Sequence, residues 1–167
     1  MMIKDRFSKK DFIALVISIA VCLSAGIVGS LFTKTGPGSW YETINKPAFN
    51  PPGWVFGPVW TLLFILMGIS LFLVWKAGSE KRDVKLALSF FGLQLMLNIL
   101  WSALFFGIES PGLAFIEILI LWSAILGNIT IFYRISRTAS ALLVPYLFWV
   151  TFASILNVTI WFLNRPF

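Results

Sequence analysis

A chain of 167 residues that is 59% hydrophobic and only 12% charged is not composed for water, since a soluble domain averages about 25% charged residues. Its charges lie between long apolar runs instead of recurring along helix faces, which excludes a soluble bundle with one wet side per helix. The net charge of +6 comes with no basic stripe or basic helix, so it reads as Lys and Arg flanking membrane spans, not as a nucleic-acid surface. There is no His, and Cys22 is the single Cys; His/Cys metal catalysis and an internal disulfide are therefore unavailable.

Five apolar runs follow in order, at about 12–32, 54–75, 86–106, 112–132 and 139–163. Each is close to the roughly 20 residues that a bilayer crossing requires, and Glu117 is the one charged residue within them. The predicted fold is all-α: one polytopic membrane domain over 1–167, a bundle of five transmembrane helices. The runs do not alternate, so a β-barrel is excluded. The first run follows Lys4, Arg6, Lys9 and Lys10, as a signal peptide would, but it is longer than an apolar signal core and is expected to be retained. Asp83 precedes the third run and is placed to cap or favour its N-terminus. Gly107-Ile108-Glu109-Ser110 is so short that the third and fourth helices must be antiparallel neighbours. Pro111 opens the fourth run, where its missing N–H is harmless. Pro145 lies inside the fifth run and predicts either a kink or a later helix start.

The basic residues alternate from side to side. Ten of the thirteen Lys and Arg fall in the N-terminal tail, in the second connection (Lys76, Lys81, Arg82, Lys85) and in the fourth (Arg134, Arg137). Lys34, Lys46 and Arg165 occupy the other side. In a prokaryotic plasma membrane this asymmetry predicts a cytoplasmic N-terminus and an external C-terminus.

The first connection, 33–53, is the only long one, and Pro47, Pro51 and Pro52 stiffen it. Its Trp40 and Tyr41 are either interfacial anchors or part of a structured lid over a cavity. The third helix carries Gln94, Asn98 and Trp101 on one face. In hydrocarbon such amides serve either as glue between helices or as polar groups of a site. The fifth helix adds Trp149, Ala153 and Asn157 on one face, the second Trp60 and Phe64, and the fourth Glu117 and Trp122. At about 1.5 Å per residue these groups share the half of the bilayer beneath the long connection. That is the composition of a pocket for a flat, mostly apolar ligand with a few polar edges. Glu117 reads either as a ligand- or proton-binding group or as a partner for an amide across the bundle.

Three stretches together carry a resemblance: WYETINKPAFNPPGWVFGPVWTLLFILMG, QLMLNILWSALFF and RISRTASALLVPYLFWVTFASILN. In that order they resemble the TspO/MBR family of tryptophan-rich sensory proteins, related to the mitochondrial translocator protein or peripheral-type benzodiazepine receptor. The likeness covers about 15–163. It implies a five-helix bundle, usually a homodimer, that binds tetrapyrroles such as protoporphyrin IX non-covalently. By motif, the family's ligand-binding residues fall on Trp40, Tyr41, Pro51, Trp60, Phe64, Asn98, Trp101, Trp149 and Ala153. The two tryptophans that the family associates with light-dependent porphyrin breakdown correspond to Trp60 and Trp149. Phe49 stands where many members have Trp. The C-terminal stretch has Trp161 and Arg165 but not the Tyr of the animal cholesterol motif. Without His, axial haem ligation by His is excluded. The expected function is a membrane receptor or sensor that regulates or transports tetrapyrroles. The alternatives are a light-dependent porphyrin-degrading enzyme and a transporter of porphyrin or sterol-like lipids. The first lacks an acid–base–nucleophile set, and the second lacks visible internal repeats.

Overall fold

The computed structural model describes residues 8–165; Lys4 and Arg6 of the basic tail lie outside them. Seven α-helices and one π-helical turn make up the described chain: α1 (Lys9–Ser30), α2 (Trp40–Thr43), α3 (Gly53–Lys76), α4 (Arg82–Ser102), the π turn (Ala103–Gly107), α5 (Pro111–Ile135), α6 (Arg137–Leu142) and α7 (Val144–Leu163). Five units are long and apolar enough to cross a membrane: α1, α3, α4 with its π turn, α5, and α6 with α7. There is no strand among the described residues.

Local chemistry sets the ends. Ser8 caps α1 in a reciprocal box: its hydroxyl accepts from the Asp11 N–H at 3.1 Å and its own N–H donates to the Asp11 carboxylate at 2.9 Å. The same carboxylate meets Lys76 at 3.2 Å, tying the start of α1 to the end of α3. Pro111 opens α5 as expected. At α4 the N-cap is Lys81 without a side-chain hydrogen bond. Asp83 sits inside the first turn, so it acts on the helix dipole and does not cap. Between α4 and α5 the chain reverses through Glu109, whose φ of 58° is left-handed.

Pro145 settles between its two sequence alternatives by restarting the helix. α6 ends at Leu142, Leu143 caps both helices, and Pro145 occupies the first turn of α7, where no N–H is needed. The break lets one span face two ways. α6 packs on both α5 and α3, with the Ser70 hydroxyl donating to the Ala139 carbonyl at 2.7 Å, whereas α7 packs on α5 and leaves α3. A gap is thereby left between α3 and α7 at the end of the bundle that carries the long connection.

At the other end the helices close tightly. A Cβ on Gly68 of α3 would lie 2.5 Å from the Ile19 Cα of α1. Phe91 and Phe132 stack at 5.7 Å between α4 and α5. Toward the roofed end Ala25 and Gly29 are buried in α1, where a Cβ on Gly29 would lie 3.4 Å from the Ser102 hydroxyl oxygen of α4. A Cβ on Gly107 would lie 3.3 Å from the ring of Phe32. These small residues are thus used for close approach within one bundle.

Candidate functional site

The gap is a cavity of about 910 Å³ walled by α1, α3, α4 with its π turn, and α7, and roofed by the 33–53 connection. Of the residues singled out in the sequence, Tyr41, Pro51, Trp60, Phe64, Asn98, Trp101, Trp149 and Ala153 line it. Trp40 does not. Its ring meets Phe105 edge-on at 5.8 Å, so it anchors the roof to the π turn.

The roof is ordered by its own chemistry. The one-turn helix α2 follows Gly38, which takes φ +79° and donates its N–H to the Glu42 carboxylate at 2.7 Å. Tyr41 leans on Phe105 and Phe106 and donates its phenol O–H to Asn50 at 3.1 Å. Burial pushes that phenol above its ordinary range, against the opposing pull of the Asn50 hydrogen bond, so it remains a donor at neutral pH. Asn50 in turn donates to the Pro51 carbonyl at 3.1 Å. Lys46 folds over the Tyr41 ring, 4.7 Å from its centre, and donates to the Ile44 carbonyl at 3.1 Å. The far side of the roof is tied to the end of α7. There Asn164 accepts from the Asn45 N–H and donates to the Asn45 carbonyl, both at 2.9 Å.

The walls are aromatic. Trp60 stacks on Phe64 at 5.6 Å and meets Tyr146 edge-on at 6.1 Å. Trp149 lies between Phe56 at 6.0 Å and Phe152 at 5.6 Å. Trp101 stacks on Phe105 at 5.2 Å. Such ring faces bury large area and stack on flat ligands. The π turn, with its wider pitch, puts both Phe105 and Phe106 on the cavity.

The amides act as glue and line the site at the same time. Asn98 lines the cavity and donates to the Tyr146 hydroxyl oxygen at 2.9 Å, and Gln94 behind it donates to the same oxygen at 2.8 Å. Trp101 donates its indole N–H to Asn157 at 3.0 Å, and Asn157 donates to the Pro111 carbonyl at 2.7 Å, which joins α4, α7 and α5. Trp122 and Glu117 stand apart from the cavity. Trp122 donates to Thr151 on the surface at 2.8 Å. Glu117 is 5% exposed, and neither carboxyl oxygen has a hydrogen-bond partner among the described residues. The amide partner expected across the bundle is absent there.

Sequence reasoning passed over two contributors. Tyr146 is fully buried and organises both amides; the signal available was that Gln94 and Asn98 each needed a partner. The α1 wall, with Leu23, Gly26, Ile27, Gly29 and Ser30, consists of residue types that pack anywhere and gave no signal.

Comparison with known proteins adds a separate line. A family model described as TspO/MBR family matches residues 18–162. The chain is 49% identical over 156 residues to Tryptophan-rich protein TspO of Chlorobaculum tepidum, covering 93% of this chain and 98% of that one. It is 44% identical over 154 residues to Tryptophan-rich protein TspO of Archaeoglobus fulgidus, covering 92% and 99%. It is 37% identical over 135 residues to the human Translocator protein, covering 80% of each.

Proposed function

The chain belongs to the TspO/MBR family, and from that premise we propose that it is a membrane receptor or sensor whose roofed cavity binds a tetrapyrrole such as protoporphyrin IX, to regulate or transport it. The observation that carries this reading is the cavity itself. Its volume of about 910 Å³ and its indole walls at Trp60, Trp101 and Trp149 suit a large planar molecule, and Asn98 supplies a polar edge. Ligand sites are typically concave, mostly apolar and about 300–1,000 Å³ in volume, and this cavity lies in the upper part of that range. The test is a titration of the protein in lipid nanodiscs with a panel of metal-free porphyrins, linear tetrapyrroles and sterols. Saturable one-site binding confined to tetrapyrroles supports the reading; equal binding of sterols, or none of tetrapyrroles, contradicts it.

The roofed end of the bundle faces the exterior in this proposal, and the N-terminus faces the cytoplasm of a prokaryote. The basic asymmetry supports the orientation. The higher identity to the Chlorobaculum and Archaeoglobus relatives than to the human one supports the setting. With Cys22→Ser as background, Thr35→Cys is expected to react with an impermeant thiol reagent on intact cells and Glu80→Cys only after lysis. Reaction of both from outside would reverse the assignment.

The working unit we propose is a homodimer joined along α4, whose lipid-facing side presents Leu86, Leu93, Met96 and Leu100. A dimeric protein mass by light scattering in nanodiscs is the expected result, and a monomeric mass would contradict it.

One observation favours a second reading, in which illumination alters the bound porphyrin. Trp60 and Trp149, both oxidisable indoles, line the same cavity. A Trp60→Phe, Trp149→Phe double variant keeps aromatic walls, so it should bind porphyrin and lose any light-driven bleaching seen with the unmodified protein. A bleaching rate unchanged by the double substitution would remove both indoles from the chemistry.

A further inference from the structure

The cavity has two boundaries through which a molecule could pass, and they are built differently. The roof is fastened. Asn164 and Asn45 exchange two hydrogen bonds of 2.9 Å, and Trp40 and Tyr41 are wedged against the π turn. Opening it would break all of these together.

The side between α1 and α3 is open. Ile27 and Ser30 on α1, with Gly57 and Thr61 on α3, line the cavity and are also exposed on the outer surface of the bundle, Ile27 by 64%. At about 1.5 Å per residue, Thr61 lies roughly 12 Å along α3 from its start, so the opening reaches hydrocarbon depth. Below it the two helices meet. A Cβ on Gly26 would lie 2.5 Å from the Phe64 ring, and one on Gly68 would lie 2.5 Å from the Ile19 backbone. The opening is therefore a slit that closes where Gly26 meets Phe64.

The slit is also chemically quiet. The Ser30 hydroxyl donates to the Ile27 carbonyl at 2.7 Å, Thr61 to Gly57 at 2.9 Å and Thr33 to Gly29 at 3.1 Å. Each hydroxyl along its edge is satisfied by its own helix, so an apolar molecule slides past without stranding a donor in lipid.

We propose that the ligand enters and leaves sideways from the bilayer, edge first through the slit between α1 and α3, while the roof stays shut. The proposal rests on the reading that this cavity holds a flat, membrane-partitioning ligand. It assigns Ile27, Gly57 and Thr61, at the rim of the cavity wall, to the control of exchange.

The experiment is stopped-flow fluorescence with protoporphyrin IX and the protein in nanodiscs. A Cβ on Gly57 meets nothing within 4 Å, so Gly57→Leu starts without a clash and adds bulk at the slit. Association and dissociation should both slow, by about tenfold, because an obstructed passage raises the barrier in both directions. Ile27→Trp fills the slit from the facing helix and should act in the same way. Asn164→Ala loosens the roof and should leave both rates as they were. Unchanged rates in both slit variants, or faster exchange in Asn164→Ala, would assign passage to the roof and overturn the proposal. Faster dissociation of Gly57→Leu with unchanged association would show a lost ligand contact instead of an obstructed passage and overturn it as well. If the unmodified protein shows no saturable binding, the ligand reading fails together with the route; saturable binding with unaltered rates removes only the route.

Discussion

Trp60→Ala and Trp149→Ala are each expected to weaken protoporphyrin IX binding about 30-fold, the equivalent of about 2 kcal/mol for removing a central ring from an aromatic site. The two rings are held from different helices. Trp60 is fixed on α3 by stacking on Phe64 and by the edge of Tyr146. Trp149 is fixed on α7 between Phe56 and Phe152. Rings held this way lose little freedom on binding, so most of their contact area contributes to affinity. Trp75 is the control. It stacks on Phe72 at 6.4 Å near the opposite end of α3, away from the cavity, and Trp75→Ala should leave affinity unchanged. Titration in nanodiscs reads all three. Wild-type affinity in both Trp60→Ala and Trp149→Ala would place the ligand elsewhere.

Gly68→Val should be the most damaging single change to the fold. The Cβ it adds would lie 2.5 Å from the Ile19 Cα and 2.9 Å from the Ile19 nitrogen. These are backbone atoms, so no rotamer change relieves the clash, and α1 has to move off α3. Overpacking of this kind costs about 1–3 kcal/mol or more, and here it also displaces the wall that carries Ile27 and Ser30. The expected result is a clearly lowered melting temperature together with weaker ligand binding. Gly92 gives the contrast. A Cβ there meets nothing within 4 Å, and Ala is the better helix former by about 1 kcal/mol, so Gly92→Ala should melt at or above the wild-type temperature. Gly68→Val melting like the wild type would mean that α1 and α3 do not pack this closely.

The sequence carried the spans because apolar runs of bilayer length admit few other structures in lipid. It also pointed at the side chains around the cavity wherever they were conspicuous, as with the indoles at Trp60 and Trp149 or the amide at Asn98. Three kinds of feature were not legible. The first is a partner supplied at a distance: Gln94 and Asn98 announced a need that Tyr146, some fifty residues away in the chain, meets. The second is what an ordinary residue does by position. Nothing in Ile27 or Gly57 marks a slit, because exposure and lining depend on where two helices diverge. The third is the geometry of interruptions. Pro145 allowed either a kink or a restart, and the π turn at Ala103–Gly107 has no residue signature of the strength of a proline. Glu117 shows the converse: a charged residue in an apolar run drew notice, yet its carboxyl lies off the cavity and accepts no hydrogen bond among the described residues. Ala25 and Gly29 pack within one bundle, so support for the proposed dimer comes from the family and from the exposed side of α4.

The central claim is that the roofed cavity holds a tetrapyrrole, and a structure of the protein in lipid saturated with protoporphyrin IX tests it most directly. The expected result is the macrocycle beneath the 33–53 connection, with its faces against Trp60 and Trp149 and an edge toward Asn98. A macrocycle seated on the lipid-facing surface, or an unchanged cavity at saturating porphyrin, would contradict it.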